Sequence, residues 1–269
     1  DFPFYVPICL NSFFHHKGFS ETNKVFPSKE PICLTQVKKE LAEAELNLRK
    51  KANFEEALKK YRDILQLFNS HSDVRPFYCF KALIGTGDTL VFQQKSEKGL
   101  DYYLLALAFL PIDRLDFQRA QLCQKIGDCY FMLKDLTNSM YYYEESLTLY
   151  NTRENINQLI FARIFINMGK IQILKDNSRK AMDLFLQAAK VLEAENKETF
   201  LYMKAYAEIG KIFADRRQQW AAWSAIHDVM KLFDESDYLE NQEKIELTED
   251  FAKVLQEFGF YSQVIERNE

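Results

Sequence analysis

A short apolar signature runs through most of the chain: a small residue, a bulky one four positions on, and a compact apolar or hydroxyl residue three further. It reads Ala57-Tyr61-Ile64, Gly99-Tyr103-Ala106, Ser139-Tyr143-Ser146, Ala181-Phe185-Ala188 and Ala222-Ile226-Val229. Spacings of four and seven place all three residues on one face of an α-helix. Twelve positions before four of these signatures stands a glycine: Gly87, Gly127, Gly169 and Gly210, separated by 40, 42 and 41 residues. Glycine inside a helix costs about 1 kcal/mol against alanine. A glycine that returns at one phase therefore implies close packing, with the bulky residue of the second helix against it.

The pattern predicts paired helices near 35–51 and 54–69, 76–94 and 97–110, 114–133 and 136–150, 154–175 and 178–194, and 197–216 and 219–233, followed by one near 238–258. Each pair is joined by a short polar turn such as LKDLTN or LKDNSR. Stepping back 42 residues from Gly87 reaches Glu45, and stepping forward 42 from Gly210 reaches Ala252, so the frame spans five units and the start of a sixth. Gly259 and Val264 extend that sixth unit. A helix pair cannot bury its apolar face alone, so units of this kind stack.

Composition agrees with helices joined by short connections. Of 269 residues only 8 are Gly and 6 are Pro, while 47% are hydrophobic. The stretch 1–33 lacks helical periodicity, holds four prolines and a run of aromatics (Phe2, Phe4, Tyr5, Phe13, Phe14), and reads as an irregular arm preceding a solenoid over 34–269. Five irregularly spaced cysteines and the lack of an N-x-S/T acceptor point to a reducing, intracellular setting, with the cytoplasm as the expected location. The longest apolar run, Tyr103 to Ile112, is too short to span a bilayer.

The net charge of −4 argues against nucleic acid as a partner. That charge is also uneven. From Asp234 to Glu269 there are 11 acidic and 3 basic residues, so the rest of the chain is slightly basic.

These positions resemble the tetratricopeptide repeat. The small residue of the first helix, the small-bulky-small set of the second and the turn between them match in every central unit. Leu83, Cys123, Phe165 and Tyr206 stand where the family often has Trp. The units exceed the usual period of about 34 residues, and in this they are similar to the repeats of kinesin light chains and LGN-type scaffolds. The resemblance implies an all-α, right-handed α-solenoid of 11–12 helices and a non-enzymatic scaffold or adaptor that holds a peptide or helix in a concave groove. The alternative is a regulatory or targeting domain of a larger protein, in keeping with a chain that begins without Met.

The resemblance also implies which side chains face the groove. Gln124, Asp128 and Phe131 come from the third unit, Arg163, Asn167 and Lys170 from the fourth, and Lys204 and Lys211 from the fifth. Arg163, Lys170, Lys204 and Lys211 form a basic column in a wall with few acids, suited to an acidic peptide, and Asn167 between them could grip a peptide backbone. The carboxylate clamp of chaperone-binding relatives is incomplete, because Glu208 stands where it needs Arg. The acidic last helix is expected to cap the stack or to compete for the column.

Catalytic chemistry finds no support. Gly85-Thr86-Gly87 lacks the remaining glycine of a dinucleotide fingerprint and lies within a helix. His15, His16, His71 and His227 lack ligand spacing, and Cys123 and Cys129 read as core residues, so no metal and no cofactor is expected. Trp223, after the small Ala222, is expected between layers. Tyr143 is expected in the core, and Tyr141 and Tyr142 at the surface.

Overall fold

The computed structural model describes residues 32–49, 53–70, 76–110, 116–151, 157–193, 199–236 and 239–256. The expected arm up to residue 31, together with His15, His16, His71, Gly259 and Val264, lies outside them.

Among the described residues there are eleven helices and no strand: α1 (Ile32–Arg49), α2 (Phe54–Ser70), α3 (Pro76–Phe92), α4 (Ser96–Phe109), α5 (Asp116–Met132), α6 (Leu136–Asn151), α7 (Gln158–Leu174), α8 (Ser178–Glu193), α9 (Phe200–Asp215), α10 (Gln219–Asp234) and α11 (Asn241–Gln256). The odd-numbered helices (A) and even-numbered helices (B) pair in sequence, α1 with α2 through α9 with α10. Each B helix also packs on the A helix that follows, and α11 packs mainly on α9. The molecule is an all-α solenoid.

The repeat glycines lie where the two helices of a pair meet. A β-carbon added at Gly87 would sit 2.5 Å from the Tyr103 ring, at Gly127 2.9 Å from Tyr143, at Gly169 2.4 Å from Phe185 and at Gly210 2.7 Å from Ile226. Real β-carbons do not approach so closely, so the bulky residue can seat only over a missing side chain. Gly85 does the same one unit back, with Tyr61 at 2.2 Å. Tyr61, Tyr143, Phe185 and Ile226 are all at most 1% exposed, which makes them the centres of successive core layers. Cys123 and Cys129 are buried among these layers, and burial lifts their thiols to about 11 and about 12.

Four A-to-B turns share one backbone geometry. Gln94, Lys134, Asp176 and Arg217 all adopt left-handed φ between 56° and 62°. The amide after each reaches back to a carbonyl five residues earlier, as in Lys95 N to Leu90 O (2.9 Å) and Asp135 N to Tyr130 O (2.9 Å). This is the Schellman arrangement, which usually places glycine at the left-handed position. The B helix follows at once, and Asp135 Oδ1 accepts from Asn138 N (3.1 Å) to cap α6.

The aromatic expectations divide. Tyr143 is fully buried, and Tyr141 is 58% exposed. Tyr142 is only half-buried, stacked on Tyr130 at 5.6 Å. Trp223 is half-buried with its ring against His227 (3.9 Å), whereas Trp220 is 85% exposed.

Candidate functional site

On α7, Arg163, Asn167 and Lys170 are spaced by four and three and share one face. Lys204 and Lys211 are seven apart on α9, and Glu243, Glu246 and Asp250 follow the same spacing on α11. Together with Asp128 of α5 these helices enclose an open cavity of about 760 Å³. Arg163, Asn167, Lys170, Lys204 and Asp128 all line it. Its apolar wall is Leu159, Ile166, Phe200, Leu201 and Leu239, and Glu243 and Glu246 bound it on the α11 side.

Gln124 and Phe131 do not line this cavity. Phe131 packs instead at the margin of the apolar cluster that holds Tyr143 and Ile164. Lys211 lies beyond the cavity, one turn further along α9.

At three of the four junctions the residue after the repeat glycine bonds to the residue two before the matching position of the next unit, so A helices are linked by a polar ladder. Lys125 Nζ donates to Asp88 Oδ1 at 2.7 Å, and Asn167 Nδ2 donates to Asp128 Oδ1 at 3.1 Å. At the far end the polarity is reversed, with Lys211 Nζ donating to Asp250 Oδ1 at 2.8 Å. The middle rung would join Lys170 to Glu208. However, Glu208 is held by Lys211 (3.0 Å) and lies 3.9 Å from Lys204. Among the described residues Lys170 therefore has no ion-pair partner, and neither has Arg163. Burial lowers the Lys170 pKa, and the positive charge of Lys204 adds to that shift against the pull of Glu208 and Glu246.

Within each of two units the ladder is tied to the core. Tyr103 Oη donates to Asp88 and Tyr143 Oη donates to Asp128, both at 2.5 Å. Burial raises the Asp128 pKa, opposed by the bond from Tyr143 and by the charges of Arg163 and Lys125. The Asn167 amide nitrogen is thus committed inside the protein, to Asp128 and to Tyr143 Oη (3.2 Å). That nitrogen does not stand ready to grip a peptide.

The expectation of a four-cation column in a wall with few acids requires correction. Lys204 is only 5% exposed, bonded to Asp250 and to Glu246 (2.5 Å). Asp250 is 3% exposed and receives both Lys204 and Lys211. Burial alone would raise the Asp250 pKa, but these two donors hold it below the ordinary carboxylate range. Of the acids that neutralise half of the column, Glu208 lies on α9, whereas Glu246 and Asp250 come from α11, distant in sequence. The two α11 acids are therefore invisible in the pattern of α7 and α9 alone. One signal was legible: Asp follows the repeat glycine where the bulky residue is Tyr, and Lys follows it where that residue is Phe or Ile.

No group of three or more His, Cys, Asp or Glu among the described residues could hold a metal ion, and no described helix is long and apolar enough to cross a membrane.

No family model and no curated protein matches the sequence. The fold has clear counterparts among solved structures. The chain is similar to the kinesin light chain TPR-like repeats of Podosopora anserina, with a TM-score of 0.62 at 8% identity over 77% of this chain and 98% of that one. BtubC (BKLC) from P. vanneervenii gives 0.60 at 11% identity, covering 86% and 87% of the two chains. PilF of Pseudomonas aeruginosa gives 0.55 at 17% identity, covering 86% and 89%. At such identities the likeness speaks for architecture. With the recurring glycines, the left-handed turns and the polar ladder, it establishes that the chain folds as a tetratricopeptide-like α-solenoid.

Proposed function

We propose that the protein is a non-enzymatic interaction scaffold that holds an extended acidic segment of a partner protein against the A helices, in the concave groove expected of such a solenoid. One observation carries the reading. Arg163 and Lys170 line the cavity without an ion-pair partner, whereas the neighbouring cations Lys204 and Lys211 are matched by Asp250 and Glu246. Arg offers a planar fork to a carboxylate, and a half-buried Lys without an ion-pair partner gains one when a carboxylate reaches it. Apolar side chains of the same segment would rest on Leu159, Phe200 and Leu201. The acids Glu243 and Glu246 on the opposite wall orient the segment, since its negative part must lie toward α7.

The test is a fluorescence titration with a labelled peptide alternating Glu and Leu. Wild type should bind it, and Arg163→Glu with Lys170→Glu should weaken binding by about tenfold or more, equivalent to about 1.4 kcal/mol. Unchanged binding by that double variant refutes the reading.

A further inference from the structure

A second surface lies along the edge formed by the A-to-B turns, outside the cavity. We infer that this edge docks an acidic amphipathic helix of a partner protein.

The edge carries large apolar side chains in register. Five residues after the repeat glycine come Phe92, Met132 and Leu174, respectively 54%, 48% and 61% exposed. In the next unit that position is Asp215, and the 85% exposed Trp220 stands at the start of the B helix after that turn. Isolated exposed apolar residues are ordinary, but a row repeated at one phase marks an interaction site. Two of its members are already held in place. The Phe92 ring stacks on Phe54 at 6.3 Å, and Met132 Sδ accepts from Ser96 Oγ at 3.6 Å.

Cations accompany the row. Lys134, Lys175, Arg216 and Arg217 sit on the turns, and Arg179 and Lys180 open α8. All six are exposed, and none has an ion pair among the described residues. Of the acids on this edge Asp135 caps α6, while Asp176 and Asp215 are exposed and offset part of the charge, leaving six cations against three acids. The edge is therefore both apolar and basic, whereas the cavity wall opposite α7 is acidic.

Spacing selects the shape of the ligand. Asp88–Lys125 and Asp128–Asn167 tie α3, α5 and α7 in direct succession, which sets their turn ends one helix diameter, ~10–12 Å, apart. An α-helix advances ~10.5 Å over seven residues. Apolar residues at i, i+7 and i+14 of a helix lying along the edge meet Phe92, Met132 and Leu174 in turn. Acidic residues beside them meet Lys134 and Lys175. An extended strand covers the same distance in about three residues, so successive side chains would point to opposite faces. The repeat step suits a helix.

The test uses a fluorescent synthetic peptide of about 20 residues, Ala-based, with Leu at i, i+7 and i+14 and Glu on the flanking positions. A permuted peptide of identical composition serves as control. The full chain should bind the patterned peptide at least about tenfold more tightly than the permuted one. Met132→Ser with Leu174→Ser, and separately Lys134→Glu with Lys175→Glu, should each abolish that preference. These are exposed side chains, and circular dichroism verifies that the variants fold. Arg163→Glu with Lys170→Glu should leave it intact, which separates this edge from the groove. Failure to bind the patterned peptide, or equal binding of the two peptides, overturns the inference. So does normal binding by both edge variants, or loss of binding in the groove variant. Phosphatidylserine vesicles provide the remaining arm: edge-dependent binding to them without peptide binding would assign the surface to a membrane and also overturn the inference.

Discussion

The ring of Phe185 occupies the space in which residue 169 would carry a side chain, with a gap of only 2.4 Å. Phe185 is fully buried and cannot swing aside. Gly169→Ala should therefore destabilise the protein by about 1–3 kcal/mol, the usual penalty of an overpacked core, despite the better helix propensity of alanine. Adding Phe185→Leu should restore part of the loss, read as a favourable coupling in a double-mutant cycle by urea unfolding. A larger penalty for the double variant than for the two singles combined contradicts the packing account. The recurrence of glycine opposite a bulky residue was legible in the sequence, because both partners return together every 40 to 42 residues. The roles of Asp88 and Asp128 were not. Each takes one partner from its own unit and one from the next, and only the folded chain shows that Asn167 has spent its amide on Asp128.

Helices were the most legible elements. α5, expected over 114–133, spans Asp116–Met132, and α11, expected over 238–258, spans Asn241–Gln256. The entry of α7 falls later than the expected 154 because the side chain of Asn157 accepts from Leu159 N at 2.9 Å and fixes the first turn there. The turns were legible as polar breaks, but their left-handed residues were not, because the usual glycine is absent from all four. Lys134 pays for a conformation that costs an L-residue roughly 1–2 kcal/mol. Lys134→Gly should accordingly raise stability by about 0.5–1 kcal/mol in chemical denaturation, after the added freedom of the unfolded chain is subtracted. The same change at exposed Lys98, within helix α4, should lower stability by about 1 kcal/mol and serves as the control.

Over the whole molecule, two carboxylates respond to acid in opposite directions. Asp250 has its folded pKa depressed by Lys204 and Lys211, so its contribution is complete above the ordinary carboxylate value and is lost as pH falls through the folded one. Asp128 has its folded pKa raised by burial, so its charge weighs against the fold and stability is recovered as pH falls toward the ordinary value. Asp250→Asn should cost about 3 kcal/mol at neutral pH, with that difference shrinking below about pH 4. Asp128→Asn, which keeps an acceptor for Tyr143 and a like-sized side chain, should be neutral or stabilising at neutral pH, with any gain vanishing in acid. Urea unfolding at a series of pH values checks both, and a parallel pH response of the two variants would contradict the assignment. The acidity of the last helix was legible as an excess of charge. Which acid meets which lysine was not, because Lys204 and Asp250 are 46 residues apart and converge only when α11 lies on α9.

The reversal of polarity along the ladder also gives the repeats a grammar. Every unit offers the same helical shape, so geometry alone would let the third and fourth units trade places. The trade would set Lys170 opposite Lys125 and Asp128 opposite Glu208, so that two junctions would repel where the native order has none of like sign. Identical bricks become an ordered sentence through a single polar letter at each seam. A shuffled chain would keep its helices yet misread its own order.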